Sequence, residues 1–158
     1  MTVNTKQVTD RRTLRFTALD DIIADAEVLR AHGYRRLGNW SLGQVCDHLA
    51  RLMHVSIEGT AFRLPWWQRL LLRPLRARML RRGFPAGVPL EREAAALLPG
   101  DEISDADGLE ALHRAINRLR TDPTRHPSPV LGPLSRAQWD QFHCRHAEHH
   151  LSFLVPER

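Results

Sequence analysis

The sequence predicts an all-α fold: four long helices, with an arginine-rich helical connector between the second and the third. Three observations carry this. Four segments space their apolar residues three and four positions apart, the period of a helix buried along one face. Their ends carry start and stop signals, serines three positions before glutamines and glycines just past the last apolar residue. No segment alternates apolar and polar residues long enough to make a convincing strand, and "TLRF" at 13–16 is the only short candidate.

The first helix is read from Leu19 to about Ala31, with Leu19, Ile22, Ile23, Ala26 and Leu29 on one stripe and His32-Gly33 as its stop. The second lies in "NWSLGQVCDHLARLMHVSIEG". Ser41 caps the first turn, Gln44 reaches back to it, and Leu42, Val45, Leu49, Leu52, Met53 and Ser56 share a face up to Gly59. Residues 61–100 are interrupted by Pro65, Pro74, Pro85, Pro89 and Pro99, so Trp66 to Arg82 is expected as one or two short helices. The third long helix runs from about Asp105 to Arg120 on the stripe Leu109, Leu112, Ile116 and Leu119. "DPTRHPSPVLGPLS" is too rich in proline for helix and connects to the last one. Ser135 caps that helix, with Gln138 in the capping-box position, and it is expected to reach about Leu154.

A chain of 158 residues can bury one continuous core, and a single domain over 1–158 is expected. The apolar and charged fractions, 42% and 26%, are those of an ordinary soluble protein. The formal charge of +5 comes almost wholly from arginine, Lys6 being the only lysine. Cys46 and Cys144 form no CxxC pair, which argues against a disulfide scaffold or a thiolate zinc site and suits a reducing cytoplasm. Arg11-Arg12 resembles a twin-arginine export signal, but Asp20, Asp21 and Asp25 interrupt the apolar run such a signal needs. No window of eighteen apolar residues exists, and no DNA- or RNA-reading motif is present. A cytoplasmic protein with no nucleic-acid partner and no stable membrane insertion is expected.

The stretch "HCRHAEHH" at 143–150 holds four of the nine histidines. A metal site, an acid/base cluster and a solvated helix compete to explain it. With His146 as origin, His150 falls at about 40°, His143 at about 60° and Trp139 at about 20° around the helix. The imidazoles thus share the apolar stripe, whereas a solvated helix would carry them on its polar face. Neutral rings in a core need partners, since an unsatisfied buried polar group costs roughly 1–3 kcal/mol. A divalent ion accepts one lone pair from each. His146 and His150 have HxxxH spacing, and His48 lies between Val45 and Leu52 within the buried stripe of the second helix. His48, His146 and His150 therefore form a candidate three-nitrogen metal site with room for water or substrate.

The elements "NWSLGQVCDHLA" and "HCRHAEHHLSFL" resemble the DinB/YfiT-like superfamily of bacterial proteins regarded as metal-dependent enzymes. The closer likeness is to a branch without assigned activity that ends in a "HP…GPLS…W…H…H…HHL" pattern. That pattern reads here His126-Pro127, Gly132-Pro133-Leu134-Ser135, Trp139, His143, His146 and His149-His150-Leu151. "RRTLRF" and "RRGFPAGVPL" extend the likeness over almost the whole chain. The resemblance implies a four-helix bundle with a histidine triad, one ligand from the second helix and two from HxxxH on the last, which falls on His48, His146 and His150. It also implies homodimers and, in some members, transferases or isomerases that use low-molecular-weight thiols.

The expectation is a metal-dependent transferase or hydrolase acting on a small-molecule substrate, with a low-molecular-weight thiol as the cosubstrate the resemblance suggests. Zn²⁺ or Ni²⁺ suits imidazole ligands best, with Fe²⁺ and Mn²⁺ as alternatives. His143, one turn before His146, is the candidate catalytic acid or base, and His149 is read as an edge residue. Trp40 and Trp139 are read as core fillers, with Trp139 the candidate pocket wall. Cys46 and Cys144 are read as structural. The alternative is a non-catalytic helical protein that uses the segment 63–82, rich in arginine and free of acids, at a membrane surface or a partner.

Overall fold

The computed structural model describes residues 3–61, 65–83 and 97–157. Among them the chain is mostly helical: α1 (Leu19–His32), α2 (Leu42–Glu58), α3 (Trp66–Arg82), α4 (Asp105–Thr121) and α5 (Arg136–Leu151). Two short strands, β1 (Tyr34–Arg36) and β2 (Leu154–Pro156), pair antiparallel with Tyr34 opposite Pro156 and Arg36 opposite Leu154. Pro85 and Pro89 lie outside the described residues.

α2 forms where the capping box places it. Ser41 Oγ accepts from Gln44 N–H at 3.2 Å and Gln44 Oε1 accepts from Ser41 N–H at 3.0 Å. A second cap comes from α4 and β1, since Asp105 Oδ1 accepts from Gly43 N–H at 2.8 Å and the Tyr34 hydroxyl accepts from Leu42 N–H at 2.9 Å. Gly59 ends the helix at φ 79°, a left-handed conformation that costs a glycine little. Ser41→Ala is expected to lower stability by about 1 kcal/mol. A denaturant midpoint that falls at unchanged slope would show it; an unchanged midpoint would mean that Asp105 and Tyr34 cap the helix alone.

One core unites the inner faces of α1, α2, α4 and α5, with Ile22, Leu29, Leu42, Leu49, Leu112, Ile116 and Leu151 fully buried. A smaller cluster of Leu52, Leu80, Leu131, Trp139 and Phe142 joins α3 to α2 and α5. Glycines set the α2–α4 spacing. A Cβ on Gly43 would meet the carbonyl oxygens of Ile103 and Ser104 at 2.5 Å, and one on Gly108 would meet Gly43 Cα at 2.6 Å.

Two points depart from the sequence reading: a short strand pair forms at 34–36 and 154–156, and the last helix ends early. The segment at 13–16, the one short strand candidate, pairs with no strand among the described residues. Its backbone is held by α5 side chains instead, Phe16 N–H by Glu148 and the Phe16 carbonyl by Arg145, whose buried guanidinium pairs with Glu148 at 2.8 Å. Arg12 adds a two-pronged contact to Asp25, both bonds 2.7 Å, and bonds the Leu151 carbonyl at 3.0 Å. The last helix stops at Leu151, short of Leu154. There Ser152 Oγ donates to the His149 carbonyl at 2.7 Å, and the Phe153 carbonyl accepts from Leu37 N–H at 2.8 Å, so the chain leaves the helix for β2. Trp66–Arg82, expected as one or two short helices, is one helix that contains Pro74.

Candidate metal centre

His48 lies two turns into α2, 1% exposed. Its Nδ1 is 2.6 Å from the Leu97 carbonyl oxygen, which can only accept, so Nδ1 carries the ring proton. That fixes the tautomer whose Nε2 has a free lone pair, the orientation that a backbone carbonyl gives metal-ligating histidines.

His146 and His150 bring their Nε2 atoms to 3.0 Å across one turn of α5, and His146 Nε2 is 3.2 Å from His48 Nε2. With the His48 Nε2 unprotonated, a single shared proton cannot satisfy both contacts of His146. Three donors around one tetrahedral ion would sit about 3.3 Å apart, given metal–nitrogen bonds of about 2.0–2.1 Å. The donor set fits a divalent ion: three neutral nitrogens whose ligating atoms all lie within 4.8 Å of one another. His48 is buried and His146 and His150 are half-buried, which sets the group at the edge of the core.

Burial is the largest cause lowering the proton affinity of all three histidines. For His146, the neighbouring rings of His150 and His48 lower it further, and for His150, those of His48 and His149. The rings are thus neutral at physiological pH, the form that ligates.

Trp40 supplies the wall. Its ring stacks on His150 at 5.2 Å and tilts against His48 at 4.9 Å. The β1–β2 pairing and the Leu37–Phe153 bond hold it there, since they tie the chain just before Trp40 to the chain just after α5. Trp139, read as a core filler and kept as the candidate wall, fills the smaller cluster at 1% exposed, where Nε1 donates to the His126 carbonyl at 3.0 Å. Phe142 stacks beside His146 at 6.0 Å.

His143 is not brought into the three-nitrogen group. It is 1% exposed, stacks on Trp139 at 5.3 Å and places Nε2 3.3 Å from Ser56 Oγ, whose own proton goes to the Met53 carbonyl. Burial lowers its pKa to about 3, so it is neutral in the folded protein. His149 sits at the rim, edge-on to His150 at 4.8 Å and to Phe153 at 5.8 Å. Cys46 and Cys144 are free and buried, and burial pushes both thiols up to about 12, far from the thiolate a soft ligand needs.

Two elements of the site were missed in the sequence. Trp40 precedes the capping Ser41 and lies on no helix, so periodicity says nothing of it. The Leu97 carbonyl is backbone, to which residue type gives no clue.

Residues 8–157 match the model of a family described as "Protein of unknown function (DUF1569)". No curated protein and no solved structure matches the chain.

Proposed function

The chain belongs to the DUF1569 family, and from its converging histidines we propose that it is a metal-dependent enzyme built on a DinB-like four-helix bundle. His48, His146 and His150 hold a divalent ion, Zn²⁺ or Ni²⁺ by preference. The observation that carries this is the meeting of three Nε2 atoms at 3.0 and 3.2 Å, one of them fixed in the ligating tautomer by Leu97. The helix order supports the bundle, with one histidine from α2, an HxxxH from α5 and α3 as connector.

Three neutral ligands leave the charge of the ion uncompensated, so it serves as a Lewis acid that lowers the pKa of a bound water or stabilises a thiolate. The reaction class is transfer or hydrolysis on a small molecule that enters from the solvent side, beside Trp40. The residues of this chain orient and enclose: Trp40 fixes the His150 ring plane and Leu97 the His48 tautomer. His143, expected as acid or base, faces Ser56 and not the opening. Its proposed role is to position α5 against α2.

Elemental analysis of untagged protein is the test. About one ion per chain is expected, and His146→Ala should weaken metal binding roughly a hundredfold or more, beyond the 10–100-fold typical of changes around the ligands. Protein that stays folded and takes up none of Zn²⁺, Ni²⁺, Fe²⁺ or Mn²⁺ would overturn the reading.

A further inference from the structure

α3 is apolar on both of its sides, which is unusual for a helix at a protein surface. Its inner side is used, with Leu80 and Met79 packed against the Trp139–Phe142 cluster and Arg76 donating to Gln138 Oε1 at 2.7 Å. Its outer side has no partner among the described residues. Trp66 is 71% exposed, Trp67 50% and Leu70 52%. Half of the six large apolar side chains that the described residues expose thus fall within five positions. Such clustering marks a binding surface, whereas single exposed apolar residues do not.

Helical spacing puts the cations on that same side. Counting from Trp66, Leu70 lies at about 40°, Arg81 at about 60°, Pro74 at about 80°, Trp67 at about 100° and Arg78 at about 120°. Arg78, Arg81 and Arg82 are exposed, and none of them is ion-paired among the described residues. From Gly59 to Leu90 the chain carries seven arginines and no acidic residue. One face therefore offers indole rings and a leucine along its first turns and guanidinium groups along its last.

We propose that the outer face of α3 docks on an anionic phospholipid surface, with Trp66, Trp67 and Leu70 entering the interface and Arg78, Arg81 and Arg82 meeting the headgroup phosphates. Tryptophan, apolar in its body and a donor at its tip, suits the headgroup boundary. Arginine without acidic neighbours suits anionic headgroups, and each contributes roughly fivefold in partitioning near such a surface. Exposed apolar side chains favour a lipid surface over nucleic acid, whose phosphates would need the cations alone. The docking is peripheral, because no helix of the described residues is long and apolar enough to cross a membrane.

The test is co-sedimentation of the full chain with vesicles of phosphatidylcholine containing a minority of phosphatidylglycerol, alongside tryptophan emission. Binding at low salt with a blue shift is expected, falling as salt screens the headgroups. The double variant Trp66→Ala/Trp67→Ala should lose at least tenfold in partitioning, and Arg81→Glu/Arg82→Glu at least as much. Both variants alter exposed side chains and should keep the wild-type melting temperature and metal content, so the metal reading is judged separately. Absence of vesicle binding, or binding that the tryptophan pair does not affect, overturns the proposal. So does binding of a duplex oligonucleotide in place of vesicles, or a dimer that the tryptophan variant dissociates, since either assigns the face to another occupant.

Discussion

Acidifying the protein from about pH 7.5 to about pH 5.5 is expected to lower its melting temperature steeply, and to abolish any stabilisation by added Zn²⁺. His143, His146 and His150 are neutral when folded because burial expels the charged form, and His48 is shifted the same way. In the unfolded chain each regains a pKa of about 6.5. The unfolded state therefore binds more protons below that value. The stability that neutrality confers is present above about pH 6.5 and is lost as pH falls towards the folded pKa. For His143 that window extends down to about 3. Each such group costs about 1.4 kcal/mol per pH unit within its window. A metal held by the proposed triad would add to the effect, because ligation also demands unprotonated rings. Melts at the two pH values, with and without chelator, measure both parts. A chelator effect of the same size at both would contradict the triad as ligands, and a melting temperature that ignores pH would contradict the neutral buried cluster.

Gly108→Ala is expected to destabilise the fold by about 3 kcal/mol or more, at the upper end of overpacking costs. A side chain on Gly108 would strike the backbone of Gly43, and one on Gly43 would strike the carbonyls of Ile103 and Ser104. Backbone has no rotamer to escape into, so α2 and α4 must part. Their separation would also pull Asp105 from the first turn of α2 and shift His48 relative to α5. Urea unfolding of the variant gives the magnitude, and metal affinity gives the consequence at the site. A loss under about 1 kcal/mol would mean that the two helices do not depend on this close approach.

Much of this was legible before the structure. The apolar stripes and caps predict α1, α2, α4 and α5 nearly to their ends, because burial along one face and an oxygen at the N-cap are local requirements written in residue type. The histidines that converge are those that fall on buried stripes, and His54, on the far side of α2, meets Arg118 at 3.1 Å instead. Angle around a helix carried that reading, and it needed no knowledge of how the helices pack. The same angle puts His143 on that buried face too, yet does not bring it to the three nitrogens. Sharing a face with His146 says nothing about which neighbouring helix a ring will meet, and Ser56 on α2 claims it.

What the sequence by itself determined is the set of helices, their buried faces and the three imidazoles those faces carry, since each follows from spacing within one segment. The tertiary structure alone decided what encloses them. The strand pair at 34–36 and 154–156 is only three residues on each side, too short to announce itself by alternation, and it exists because each strand satisfies the other. That pairing brings Trp40 over His150, just as the packing of distant segments brings the Leu97 carbonyl to His48 and Gly108 to Gly43. These contacts depend on the relative placement of segments far apart in the chain, which no local spacing encodes.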